Sequence, residues 1–416
     1  MNSKTVKEKA LPNGWREVKL EEVASVKTGP FGAQLHQHDY VKSDGTPIVT
    51  VEHLSERGLV YKNLPLVSDR DKKRLNQYLI YEGDIVFSRV GSVDRSTLVS
   101  RDENGWLFSG RLLRVRPKKK NVHSSYLNYF FHTRRFMHHM RSIAVGGTMP
   151  SINTEILSSV TVCLPTIKEQ KTIASLLETW DTAIEKTEAL IAAKEKRFKW
   201  LLKTLISDQQ NNPEWRKVKL GDVGLISSAG VDKKTVEGEK PVRLVNYLDV
   251  LREDFILSDN LNHWVTAPEG KIVQCNVRKG DIFFTPSSEI QGDIAHSAVS
   301  LKDIEKAVYS YHIVRFRLKE NWDLMFRGYV FKASEFYRQA YRLCDGSGQR
   351  YVISQDNFRR MIICIPDINE QKRIANILKI TQQEIDSLKK IAGKYRIQKR
   401  GLMQQILTGK KRVKIS

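Results

Sequence analysis

Cysteine is scarce in this chain: four in 416 residues, Cys163, Cys275, Cys344 and Cys364, with no C-x-x-C pair. A zinc ribbon is therefore not expected, and the four read as small residues in a reducing compartment. No apolar run approaches the roughly 20 residues that cross a bilayer, and the opening MNSKTVKEKALPNG has no hydrophobic stretch of the signal-peptide kind. A cytoplasmic protein with no membrane partner is expected. Also missing are a G-x-x-x-x-G-K-S/T phosphate loop and an H-E-x-x-H helix, which removes the commonest routes to nucleotide and zinc chemistry. Acidic residues are in deficit, 47 Asp and Glu against 69 Lys and Arg, for a formal net charge of +22. Such an excess points to a polyanionic partner. It is also evenly divided: residues 1–207 hold 33 basic and 22 acidic residues and residues 208–416 hold 36 and 25, so each half carries +11. What remains, 40% hydrophobic and 9% aromatic, suffices for ordinary cores in more than one domain.

The strongest pattern runs from Leu164 to Ser207. Ile173, Leu177, Trp180, Ile184, Thr187, Ile191, Lys194, Phe198, Leu201 and Leu205 recur in steps of four and three, which is heptad spacing. Thr166 is placed to cap the helix, with Glu169 bonding back to it as a capping box. A helix of about 40 residues is roughly 60 Å long, too long for one small domain to cover, so it needs a partner helix. That partner lies 201 residues later, where Ile374, Leu378, Thr381, Ile385, Leu388, Ala392, Tyr395, Lys399, Leu402 and Ile406 repeat the seam. Asp367 is its cap, Glu370 its capping acid and Gly409 its stop. Two like helices in one chain pair most simply head to tail. That register sets Trp180 opposite Lys399 in a cation–π contact, Phe198 opposite Thr381 and Ile191 opposite Leu388.

The rest of the chain is duplicated around these helices. Trp15-Arg16-Glu17-Val18-Lys19-Leu20 returns as Trp215-Arg216-Lys217-Val218-Lys219-Leu220 after a polar linker at 208–213, each predicting a short strand and turn. Gly83-Asp84-Ile85-Val86-Phe87 returns as Gly280-Asp281-Ile282-Phe283-Phe284, a turn into a buried strand. Short helices are expected over 125–131 and 326–331. The basic residues beyond them, Arg134, Arg135 and Arg141 in one half and Lys332, Arg338 and Arg342 in the other, suit either a solvated face or an anionic partner. Glycine loops at 146–147 and 346–348 follow, permitting positive φ and close approach to a backbone, the chain's own or a nucleic acid's. Between the shared motifs, 28–54 and 227–250 differ in length and chemistry. The boundaries read as 1–163, a first globular domain; 164–207, a central long helix; 208–364, a second globular domain; and 365–416, a C-terminal long helix with a basic tail.

This order of variable domain, glycine loop, I/V-x-x-P-x-x-x-E-Q-x-x-I-A, long helix, and the same again resembles the specificity subunit of a type I restriction-modification system over essentially the whole chain. The run Gln398-Lys399-Arg400-Gly401-Leu402-Met403-Gln404-Gln405-Ile406-Leu407-Thr408-Gly409-Lys410 is particularly similar; Trp200 departs from it at the position equivalent to Gly401. The resemblance implies two target-recognition domains of mixed α/β (α+β) fold, each reading one half of a split target in double-stranded DNA. It implies two long antiparallel coiled-coil helices that set the spacing and dock two methyltransferase subunits and, beyond them, restriction and translocation subunits. S-adenosylmethionine, Mg²⁺ and ATP would belong to those partners, leaving this chain without a cofactor, without a metal and without catalytic residues. The residues agree in having no N/D-P-P-Y/F motif of the adenine methyltransferases.

Side chains suited to base edges are Arg, Lys, Asn and Gln, with Tyr and Thr for apolar or phosphate contacts. In the first domain the candidates are Gln34, His36, Gln37 and His38 in the variable loop, Arg89 and Ser92 after the Gly-Asp strand, and Arg111. In the second they are Lys233, Lys234, Arg243, Asn246, Tyr247, Ser288 and Gln291. Each alone also has a reading as a fold or phosphate contact. His36 with His38, and His138-His139, have no third ligand at a metal-site spacing, which leaves surface or DNA-facing histidines. Two other classes stay open: a nuclease with a scattered carboxylate site, and a coiled-coil DNA-binding scaffold outside restriction. The repeated carboxylates Asp84, Asp281, Glu169 and Glu370 all have structural explanations.

Overall fold

The computed structural model describes residues 11–30, 34–118, 120–346 and 350–414. The chain divides into two compact units, residues 1–188 with 391–416, and residues 189–390. In the first, the opening strand Arg16–Lys19 pairs antiparallel with Thr161–Leu164, placing Arg16 opposite Leu164. A four-stranded antiparallel sheet runs in the order Ala24–Thr28, Leu112–Pro117, Ile85–Ser88, Ser96–Leu98. A second sheet of four short strands includes Thr46–Val49 and Leu107–Phe108, which pair in parallel. Strand alternation explains how the two sheets share one element. Ile85 and Phe87 enter the core formed with helices Ser124–Phe131 and Arg134–Ile143, while Val86 enters the core of the second sheet.

The second unit is built the same way. Arg216–Lys219 pairs antiparallel with Ile362–Ile365. A five-stranded sheet has the order Gly224–Ser227, Val314–Leu318, Ile282–Phe284, Ser297–Ser300, Phe255–Ile256. Ile282 and Phe284 face the core shared with helices Leu324–Val330 and Ser334–Leu343, and Phe283 faces the other core. The buried strand expected after each Gly-Asp therefore has apolar packing on both sides. Gly83 and Gly280 turn with φ of +88° and +83°, a region open to glycine. Asp84 and Asp281 then serve twice. Each accepts a backbone N–H three residues back, at 2.9 and 2.8 Å, and each takes a forked arginine, Arg116 at 2.7 Å or Arg317 at 2.6 Å. A buried carboxylate held this way is a structural clamp.

Both long helices are 39 residues, Ile167–Leu205 and Ile368–Ile406. None of the twenty seam positions is exposed. Within the first unit they run antiparallel, with Asp181 bonded to Lys399 at 2.6 Å and Trp180 edge-on to Tyr395 at 5.8 Å between centroids. Within the second unit Lys194 pairs with Glu384 at 2.6 Å and Lys389 with Glu195 at 2.7 Å. The orientation agrees with the head-to-tail register, but its cation–π detail does not: Lys399 turns from Trp180 to the carboxylate of Asp181 and the Tyr129 ring, 5.1 Å from the centroid. A carboxylate within hydrogen-bond reach outcompetes an indole face. The capping boxes are half formed. Thr166 and Asp367 accept the backbone N–H of Glu169 and Glu370 at 3.3 and 3.1 Å. The two glutamate side chains, however, bind Arg412 and Arg373 instead of bonding back. Gly409 ends the second helix with φ +70°.

Candidate nucleic-acid interface

The first unit gathers three arginines around a groove of about 820 Å³ walled by Leu35, Tyr40, Thr50 and Glu52. Arg89 follows directly from the buried strand. Its N–H donates to the Arg111 carbonyl at 2.9 Å and its Nη1 to the Gly110 carbonyl at 3.2 Å. Arg95, on the return limb of the same loop, gives Nη2 to the Leu54 carbonyl. Arg111 is the third residue of a turn closed by the Leu112 N–H donating to the Ser109 carbonyl at 3.0 Å. It is exposed, and among the described residues its guanidinium meets no acceptor. Gly29 backs this turn: a Cβ there would stand 2.2 Å from the Ser109 oxygen. Cations along a low-dielectric cleft focus a field that attracts polyanions, and a guanidinium fork matches phosphate or the guanine edge.

The second unit makes the same turn. The Ile313 N–H donates to the Ser310 carbonyl at 3.1 Å, and a Cβ on Gly230 would lie 2.3 Å from the Ser310 carbonyl carbon. Leu113 lies opposite Phe87 as Val314 lies opposite Phe284, so Arg111 corresponds to His312. The Ser88 N–H reaches the Arg95 carbonyl as the Thr285 N–H reaches that of His296, and the Ile152 N–H reaches the Arg89 carbonyl as the Ile353 N–H reaches that of Pro286. Three arginine positions of one unit are thus Pro286, His296 and His312 in the other. The cations come instead from Lys233 and Arg350, whose charges, after burial, hold the His312 imidazole below its usual range. Exposed Tyr311 lies against His312, the ring centroids 3.9 Å apart and the planes tilted by 36°.

Of the residues singled out from sequence, the groove brings together Arg89 and Arg111. Ser92, on the same loop, is exposed, and its carbonyl accepts from Ser88 Oγ. Gln34 accepts the Tyr78 hydroxyl at 2.7 Å; exposed His36 and His38 stack at 5.1 Å, with His38 beside Asp39. The side chain of Gln37 lies outside the described residues, as do 347–349 of the second glycine loop. In the second unit Lys233 and Lys234 are exposed, Lys234 pairing with Asp232 at 3.1 Å. Tyr247, with a buried hydroxyl whose pKa burial raises, stands beside Ser288. Gln291 donates to the Tyr341 carbonyl at 3.4 Å. Arg243 and Asn246 are drawn into the fold, Arg243 on the Ser258 carbonyl at 2.8 Å and against Trp264, Asn246 on His263 at 2.7 Å. Sequence reasoning passed over Arg95, Tyr311, His312 and Arg350. The 201-residue offset applied to Arg111 leads directly to His312, and Arg350 stands two residues past the glycine loop at 346–348. Of the basic residues after the short helices, Arg141 pairs with Asp94, Lys332 with Asp254 and Arg338 with Glu335. Among the described residues no three His, Cys, Asp or Glu are gathered as a metal site, and no helix is long and apolar enough to cross a membrane.

Two layers of sheet repeated in two copies, each copy joined to a long seam helix and each carrying its own set of cations around a common turn, form the architecture of a two-module reader. A family model described as the type I restriction modification DNA specificity domain matches residues 12–194 and again 212–394. The chain belongs to this family of type I restriction-modification specificity subunits. The MjaVIII specificity subunit of Methanocaldococcus jannaschii is 24% identical, covering 97% of this chain and 94% of its own length. The StySPI specificity subunit of Salmonella potsdam is 21% identical over 95% and 88%. Among solved structures, the S subunit of a type I system from M. genitalium superposes with TM-score 0.57 at 13% identity, covering 98% of this chain and 99% of that one. A chain from a structural study of complex assembly and conformational transition in the type I system superposes with TM-score 0.61 at 15% identity, over 96% and 99%. These structures share the fold.

Proposed function

We propose that this chain is the non-catalytic, sequence-reading subunit of a type I restriction-modification complex, each unit reading one half of a bipartite double-stranded DNA target. The observation that carries this reading is the buttressed turn that occurs once per unit on the same backbone but presents Arg111 in one and His312 in the other. A structural role would keep the side chain with the turn; two different half-sites require it to change. The long helices are the docking surface for two methyltransferase subunits and, through them, for restriction and translocation subunits. S-adenosylmethionine, Mg²⁺ and ATP act on those partners, in the cytoplasm.

Methylation mapping in cells that express this chain with its methyltransferase tests the proposal directly and should return a split motif with a fixed gap. The purified chain alone should transfer no methyl group and cut no DNA; turnover of S-adenosylmethionine by the chain alone refutes the division of labour. DNA affinity should fall steeply with salt, as counterion release requires. The helices also act as the ruler. Inserting four residues after Lys186 lengthens one helix by about 6 Å, equivalent to one or two base pairs at about 3.4 Å each. The half-sites should persist with a longer gap, with a seven-residue insertion as the control that keeps the heptad phase. An unchanged gap with retained activity means the helices only dock partners.

A further inference from the structure

We propose that the third residue of the buttressed turn is the specificity-determining position of each unit, and that Arg111 reads a guanine in the half-site of the first. This rests on the recognition reading above and adds the base and the residue. Three arginines line the first groove, but two are committed to the fold: Arg89 to the Gly110 carbonyl and Arg95 to the Leu54 carbonyl. Arg111 differs. Its backbone is fixed on both sides, by the closure of its own turn at 3.0 Å and by the Arg89 N–H on its carbonyl at 2.9 Å. The turn cannot retreat, because Gly29 is packed against Ser109 where even a methyl group has no room. A side chain with an exposed donor fork on an immobile backbone is what base readout needs, since a bidentate contact to guanine O6 and N7 is lost by a displacement of an ångström. A phosphate clamp tolerates more slack.

The second unit supplies an internal comparison. The same turn, closed at 3.1 Å and backed by Gly230, offers His312 in place of the fork. Partly buried, and with Lys233 and Arg350 near it, the imidazole is biased to its neutral form, which offers one donor and one acceptor and no bidentate guanine match. The two half-sites should therefore differ at the base pair each turn addresses.

The test uses the chain assembled with its methyltransferase subunits, and compares Arg111→Ala, Arg111→Lys and Arg111→His with wild type by methylation mapping and by competition binding on oligonucleotides varied at each base of the motif. Wild type should require a guanine in the first half-site. Arg111→Ala should relax discrimination at that one position on the order of ten- to a hundredfold, with the second half-site and thermal stability unchanged. Arg111→Lys should not restore it, because a single ammonium cannot fork. Equal loss on every sequence, with the salt slope reduced by about one, would make Arg111 a phosphate contact and overturn the proposal. So would relaxation confined to the second half-site, or no change at all. Loss of sequence preference already in the wild-type complex would instead sink the recognition reading, and this inference with it.

Discussion

Replacing Lys399 by Met probes the most heavily connected polar group in the seam. Its Nζ sits 2.6 Å from both carboxylate oxygens of Asp181, whose Oδ2 also accepts the Tyr129 hydroxyl at 2.8 Å. The two charged side chains are only 10% and 19% exposed. Removing one partner strands the other charge, a loss of roughly 3–5 kcal/mol for a buried pair. Tyr129 and the partial exposure of Asp181 place Lys399→Met at the lower end, about 3 kcal/mol. For a unit of this size that lowers the unfolding midpoint by about 6–12 °C. The second unit shows what an uncharged solution looks like: 201 residues away, Phe198 holds the Lys399 place and Gln382 that of Asp181, and Phe198 packs on Tyr329 at 6.2 Å between centroids. Importing that set as Lys399→Phe with Asp181→Gln should recover most of the loss, since apolar packing in place of a buried pair is neutral or stabilising. Calorimetry or urea unfolding of wild type, both singles and the double reads the cycle. A Lys399→Met midpoint within a degree of wild type, or a double equal to the sum of its singles, refutes the argument.

Arg412→Ala should lower the unfolding midpoint of the first unit, because it removes the fork that Arg412 places on the Glu169 carboxylate at 2.7 and 2.8 Å; thermal unfolding reads this, and an unchanged midpoint would count against it. Acidification should weaken the fold through His123, His132, His296 and His312, each held below the usual range, first of all by burial. With folded pKa values depressed, their contribution is present above about pH 6.5 and is lost as the pH falls through the folded values; stability that does not change from pH 7 to pH 5 contradicts this. Gly29→Ala forces a Cβ to within 2.2 Å of the Ser109 oxygen and should cost about 1–3 kcal/mol by overpacking, with weakened reading of the first half-site alone; equal loss in both half-sites would rule out a local turn effect.

The sequence alone determined whatever has a period or repeats at a fixed offset. Heptad spacing marked twenty seam positions, none of them exposed, because helical periodicity depends on neighbours three and four residues away. Duplication exposed the two copies, at 200 or 201 residues for the entry strands and long helices and at 197 for the Gly-Asp turns, and matched Asp84 to Asp281, since a copied motif must find a copied environment. Only the tertiary structure decided which partners the polar groups take. Glu169 looked like a capping acid and binds Arg412, 243 residues away; Lys399 looked like a mate for Trp180 and binds Asp181. Short-range signals cannot rank a distant partner, and a buried charge goes to the strongest one within reach. The groove of the first unit is the extreme case. Leu35, Tyr40, Thr50 and Glu52 in its wall come from the variable segment 28–54, whose length and chemistry differ from those of 227–250, so no offset announces them. The offset pairs residue 111 with residue 312, but only the folded chain shows both as the third residue of a closed turn packed against a glycine, Gly29 in one unit and Gly230 in the other.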